Sequence, residues 1–170
     1  SYIEMVKLAD GKSVIVEAGL DQDFKITPQQ LEDAITPKTK VLILCSPSNP
    51  TGSVYTKEEL AGLAKVLEKY PNVIVLADEI YEHINYIGKH ESIAQFESIR
   101  DRVVIVNGVS KGYAMTGWRL GWIAAPQWIA SACNKLQGQY TSGPCSITQK
   151  AAEAAYTGDQ TCVAEMRAAF

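Results

Sequence analysis

The chain has 170 residues, 46% of them hydrophobic and 21% charged, and a formal net charge of −3. This is ordinary for one globular domain with a buried core, and it offers no basic field for nucleic acid. No apolar run approaches the ~20 residues of a bilayer span, and the amino-terminal residues do not read as a secretory leader.

Taken in chain order, residues 13–17 read as a short strand behind the Asp10-Gly11 turn. A helix start follows at Ile26-Thr27-Pro28-Gln29-Gln30-Leu31. Thr27 can cap, Pro28 suits the first helical position, Gln30 can close a capping box, and Ile26 can staple onto Leu31. Residues 41–45 form a continuous apolar strand, and a turn-rich loop covers 46–53. The same helix grammar recurs at Thr56-Lys57-Glu58-Glu59, with Leu60, Leu63, Ala64 and Leu67 on one face behind it. Residues 73–77, 103–106 and 120–125 are further apolar strands. Pro126 opens a helix, and 147–168 is alanine-rich and mostly helical. Strands that are apolar at every position expect helices on both faces, as in a parallel sheet. The expectation is one α/β domain without repeat or linker.

Cys45, Cys133, Cys145 and Cys162 show no C-x-x-C pair and read as reduced, buried thiols of a cytoplasmic protein. His83 and His90 lack a metal-ligand spacing, so no metal site is assigned.

In such sheets ligands sit beyond the carboxyl ends of the strands, and the polar clusters fall there. Ser46-Pro47-Ser48-Asn49-Pro50-Thr51-Gly52 follows one strand, Asp78-Glu79-Ile80-Tyr81 the next, and 107–111 the third. The decisive stretch is Ser110-Lys111-Gly112-Tyr113-Ala114-Met115-Thr116-Gly117-Trp118-Arg119-Leu120-Gly121. A small-residue loop can withdraw the Lys111 amine from bulk water and make it a nucleophile for a carbonyl. Arg119 offers a planar fork for a phosphate. One covalent amine and one phosphate anchor suit an aldehyde cofactor bearing a phosphate, and pyridoxal 5'-phosphate fits. Each residue also has a bland reading: Asp78 as a helix cap, Asn49 as a turn residue and Tyr81 as a half-buried core tyrosine. For Ser110 it is a loop serine, for Arg119 a surface ion pair.

These strings resemble the class I and II aminotransferases, fold-type I pyridoxal phosphate enzymes, and among them most resemble the bacterial aspartate aminotransferases. The resemblance implies a three-layer α/β/α domain with a mostly parallel sheet. It makes Lys111 the Schiff-base lysine and proton shuttle, and Asp78 the partner of the pyridinium nitrogen. Asn49 and Tyr81 become donors to the cofactor 3′ oxygen, and Ser110 and Arg119 phosphate ligands. It implies exchange of an amino group between an amino acid, aspartate or glutamate, and a 2-oxo acid, in a cytoplasmic homodimer. It also implies a cis Asn49-Pro50 bond, since X-Pro bonds carry the smallest cis penalty.

Family members run to roughly 350–450 residues, more than one ordinary domain. Residues 1–170 therefore correspond to part of the large cofactor-binding domain. The family's phosphate-binding glycine loop and ring-stacking aromatic lie upstream, and the small domain with its carboxylate-binding arginine lies downstream. The expectation is a fragment with weak cofactor affinity and no meaningful turnover alone. Residues 136–144 resemble the segment that reaches the neighbouring subunit in family dimers, or else form a solvated connection. Gln137 stands near a position where one subgroup binds a substrate side-chain carboxylate with arginine, which an amide cannot replace. Alternatives are a β-lyase or cyclopropane-carboxylate synthase using the same cofactor, and a non-catalytic aminotransferase-like sensing domain.

Overall fold

The computed structural model describes residues 2–170 and shows an α/β architecture built on one four-stranded sheet. Strands β1 (Val41–Cys45), β2 (Ile74–Asp78) and β3 (Val103–Gly108) run parallel in sequence order, and β4 (Gly121–Ala124) joins β3 antiparallel. Six helices accompany them: α1 (Tyr2–Leu8), α2 (Pro28–Ala34), α3 (Lys57–Glu68), α4 (Gln127–Tyr140), α5 (Ser146–Thr157) and α6 (Thr161–Ala169). The parallel arrangement thus holds for three of the four strands. Among the described residues no helix is long and apolar enough to cross a membrane.

Both expected helix starts are capping boxes. Thr27 accepts from Gln30 N–H while the Gln30 side chain accepts from Thr27 N–H, and Thr56 and Glu59 repeat the exchange at α3. Each box satisfies donors that a helix amino terminus otherwise leaves unpaired. Glu59 also holds Lys25, with 2.8 Å between Oε1 and Nζ. The α3 stripe Leu60, Leu63, Ala64 and Leu67 is almost wholly buried. It packs with Leu31, Leu44, Val75, Ala77 and Val103 into the main apolar cluster.

A buried arginine fastens the far end of α3 to the sheet. Arg102 donates to the carbonyls of Leu67 (2.8 Å), Tyr70 (2.6 Å) and Val73 (3.1 Å). These carbonyls lie at the carboxyl end of α3 and in the connection to β2, and Arg102 adds to the turn bonds from Tyr70 N–H to Leu67 and from Val73 N–H to Tyr70.

The structure corrects four expectations. Residues 13–17 form no strand: Val14 and Ile15 are both 68% exposed, and no neighbouring strand completes their hydrogen bonds among the described residues. A short apolar run makes a strand only where another segment takes up its backbone groups. The apolar run of β4, at one edge of the sheet, is exposed at all of its residues. Cys133, Cys145 and Cys162 are exposed rather than buried, lying on or beside the open faces of α4, α5 and α6, although all four thiols are free. Much of the 136–144 stretch is no loop, since α4 continues through Tyr140. The amino-terminal helix α1 is not among the expected elements, and the alanine-rich tail divides into α5 and α6 at Gly158-Asp159-Gln160.

Two stability experiments follow. Arg102→Met removes three hydrogen bonds from a buried guanidinium and is expected to cost about 2–4 kcal/mol in urea unfolding, with Arg102→Lys recovering only part. For Glu59, burial opposes ionisation, but the bonds from Lys25 and Thr56 outweigh it and hold the carboxyl below its ordinary range. A depressed folded-state pKa adds stability above the unfolded value, and that stability is lost as pH falls through the folded one. Glu59→Ala should therefore be destabilised at neutral pH by about 1–2 kcal/mol. The gap to the unaltered protein should shrink as the pH is lowered below the ordinary glutamate range.

Candidate active site

Parallel pairing brings the ends of β1, β2 and β3 to one edge of the sheet. Cys45 stands opposite Asp78, and Asp78 opposite Val106. The ladder continues one step further through Ser46 N–H to Asp78 C=O (3.2 Å) and Glu79 N–H to Val106 C=O (2.9 Å). Only then do the three loops diverge.

The first loop contains the expected cis Asn49-Pro50 bond and a second cis bond, Ser46-Pro47, that had not been expected. It closes through Ser48 N–H to Ser53 C=O and Gly52 N–H to Ser48 C=O, with Gly52 at φ 75. From this loop Asn49 Nδ2 donates to Tyr81 Oη at 2.8 Å. The Lys111 amine lies 5.7 Å from the centre of the Tyr81 ring. Tyr81, on the second loop, therefore touches residues from the first and the third. Lys111 and Ser110 line a cleft of about 250 Å³ with His83, Thr116, Met166 and Phe170.

No helix follows Asp78, which removes the helix-cap reading; a turn begins at Ile80. Asp78 Oδ1 accepts from Ile80 N–H at 3.3 Å, and Oδ2 accepts from Tyr2 Oη at 2.5 Å. The next carboxylate in sequence points elsewhere. Glu79 is buried and accepts from Ser92 Oγ (2.5 Å), with His90 Nε2 3.1 Å away. Glu82 accepts from the Asn107 amide at 2.8 Å and so ties the second loop to the end of β3. Glu79, Glu82 and His90 form a compact cluster, but these hydrogen bonds within the protein already account for it.

The third loop is buttressed by aromatic rings. Tyr113 packs edge-on against His83 and Tyr156, Trp122 donates to Tyr156 Oη at 2.7 Å, and Tyr113 Oη donates to Gln160 at 2.8 Å. Arg119 closes the loop in the left-handed region, at φ 53 and ψ 54. Its Nη1 donates to Thr116 C=O at 2.9 Å, and among the described residues it meets no carboxylate, so the surface ion-pair reading is not realised. A non-glycine residue held there is strained, and strain of this kind clusters at ligand sites. Gln137 is exposed near the end of α4 and donates to its neighbour Thr141.

The set comprises a primary amine, a strand-end carboxylate, a guanidinium, and an asparagine and a tyrosine in mutual contact. That chemistry matches a phosphorylated pyridine aldehyde with a phenolic oxygen. The family model described as aminotransferase class I and II matches residues 1–170. The chain belongs to the class I and II aminotransferases. It is 53% identical over 173 residues to an aspartate aminotransferase of Geobacillus stearothermophilus, covering 100% of this chain and 44% of that protein. It is 48% identical to an aspartate/prephenate aminotransferase of Nitrosomonas europaea, covering 100% of this chain and 43% of the relative. The crystal structure of the aspartate aminotransferase from Rhizobium meliloti superposes with a TM-score of 0.96 at 39% identity, over 99% of this chain and 42% of that one. The chain thus spans less than half the length of the aminotransferases it matches.

One neighbour of Asp78 lies outside the aminotransferase motifs altogether. Tyr2 precedes every motif string, and its partner lies 76 positions away, so no local pattern announces it. Burial first, then the bond to Asp78 and the neighbouring Cys45, push its hydroxyl far above the ordinary tyrosine range. It therefore remains a hydrogen-bond donor across the physiological range.

Proposed function

We propose that these residues are the cofactor-binding part of a pyridoxal 5'-phosphate-dependent aminotransferase. The whole protein moves an amino group between an amino acid, aspartate or glutamate, and a 2-oxo acid. The observation that carries this reading is the meeting of Asn49, Tyr81 and Lys111 from three different strand ends. The relatives' names support the substrate class, because the relatives from Geobacillus stearothermophilus and Nitrosomonas europaea are both named for aspartate.

Bound pyridoxal phosphate supplies an electrophilic carbon for amines and an electron-accepting ring. Lys111 would hold the cofactor through its amine, and that amine would carry a proton to and from the substrate α-carbon. Asp78 would pair with the ring nitrogen and hold a proton on it. Asn49 Nδ2 and Tyr81 Oη, already hydrogen-bonded to each other, would be the donors to the 3′ oxygen. Ser110 and Arg119 hold the phosphate, with the guanidinium supplying the planar fork. Residues 1–170 belong to the large domain, in a homodimer whose setting is the cytoplasm. Gln137 is not the anchor of a substrate side-chain carboxylate, since its amide is turned onto Thr141.

In the full-length polypeptide carrying these residues, borohydride reduction with pyridoxal phosphate followed by peptide mass analysis should place one covalent adduct on Lys111. Lys111→Ala should abolish the adduct and lower turnover of aspartate with 2-oxoglutarate by at least about 10³-fold. An adduct on another lysine, or turnover surviving in Lys111→Ala, removes the reading. Tyr81→Phe should weaken cofactor binding about tenfold, equivalent to one lost hydrogen bond, as read by spectral titration.

A further inference from the structure

We propose that Tyr2 is a positioning residue for Asp78, its phenol fixing the plane in which the carboxylate meets the cofactor's ring nitrogen. This inference rests on the assignment of Asp78 to that nitrogen in the preceding subsection.

Two donors hold Asp78, one on each oxygen: Ile80 N–H on Oδ1 at 3.3 Å and Tyr2 Oη on Oδ2 at 2.5 Å. A carboxylate held at a single oxygen can rotate about its Cβ–Cγ bond, because that torsion is broad. Held at both oxygens, it keeps one orientation, and a free lone pair on each oxygen remains for a further donor. The shorter bond is the one from Tyr2, as expected for an O–H donor on a charged acceptor.

Helix α1 has no buried residue, and the tyrosine is itself 36% exposed. The phenol nevertheless reaches across the sheet edge to a carboxylate 76 positions away. The Cys45 thiol, opposite Asp78 in the β1–β2 register, flanks the same hydroxyl. Tyr2, Asp78 and Cys45 thus stand together at the end of β2, alongside the loops that carry Asn49 and Tyr81.

The phenol has two effects on Asp78. It orients the carboxylate, and by donating a hydrogen bond it lessens the carboxylate's pull on any other proton. The ring N–H is consequently held in a fixed direction and with tempered strength. Removing the hydroxyl should disturb both, while leaving the amino acid's own contacts untouched.

The test uses the full-length holoprotein reconstituted with pyridoxal phosphate labelled with ¹⁵N at the ring nitrogen. Tyr2→Phe and, as a control on the underlying assignment, Asp78→Asn are compared with the unaltered protein. The readouts are the NMR resonance of the ring N–H proton, kcat and KM for aspartate, and the melting temperature. The expected result for Tyr2→Phe is a displaced ring N–H resonance and a kcat lowered about tenfold, with KM within about twofold and the melting temperature unchanged. Asp78→Asn should abolish the ring N–H resonance. An unmoved resonance in Tyr2→Phe overturns the proposal, whether or not kcat falls with stability, provided that Asp78→Asn loses the signal. A resonance that persists in Asp78→Asn overturns the assignment of Asp78 itself, and this inference with it.

Discussion

Parallel hydrogen bonding between β1, β2 and β3 is the constraint from which the site follows. Strands that run the same way end at the same edge, and neighbouring strands lie about 4.8 Å apart. Asp78 is therefore one strand spacing from Cys45 on one side and from Val106 on the other. The two extra ladder bonds, at Ser46 and Glu79, keep the chains together for one more residue before the loops part. Side chains that do chemistry need placement to a fraction of an ångström, which a loop alone seldom provides. Here short loops spring from a common rigid edge, and the buried stripe of α3 holds that edge down from behind.

Neighbouring carboxylates on β2 and beyond show how the same edge separates roles. Asp78 and Glu79 are adjacent in sequence, so in extended backbone their side chains point to opposite faces. Asp78 emerges beside Tyr2, whereas Glu79 turns into the protein and secures Ser92 and His90. A buried carboxylate without partners would be costly, and these partners are what make its burial tolerable. The bond from Asn107 to Glu82 fastens the second loop to the strand that leads to Lys111. The loop carrying Tyr81 is thus fixed at both ends by polar contacts, which is why Tyr81 can stand between Asn49 and Lys111.

What could be read from the residues was whatever has a local cause. Thr27 with Gln30, and Thr56 with Glu59, write a helix start in four letters, and the structure forms both boxes. Four strands were visible as apolar runs, and the polar groups after three of them marked the edge. Residues 13–17 had the pattern of a strand but lacked a partner, which no local pattern reveals. The exposure of β4 depends on what packs against its faces, again a fact about neighbours. Helix α4 continues through Gly138 because a single glycine costs only about 1 kcal/mol, less than the rest of the helix returns. The tie from Tyr2 to Asp78 joins positions 76 apart, and nothing in the first eight residues distinguishes that tyrosine from any other.

The reversal at β4 then explains the shape of the lysine loop. Residues 109–120 contain only one short 3-10 turn, Thr116–Trp118, and no helix that could cross over the sheet. A parallel return needs such a crossover, so β4 must come back antiparallel beside β3. The base of the resulting hairpin is pinched at Gly108 and Gly121, which stand opposite each other. A Cβ on Gly108 would come within 2.7 Å of Leu120 O and 2.8 Å of Gly121 Cα, so only glycine allows this approach. With its arms drawn together there, the loop carries Lys111 shortly after one arm and Arg119 shortly before the other. Both cations consequently hang from the same narrow neck, and the left-handed turn at Arg119 is where the chain bends back into it. The spacing of amine and guanidinium is then a property of the sheet's hydrogen bonding as much as of the loop's own sequence.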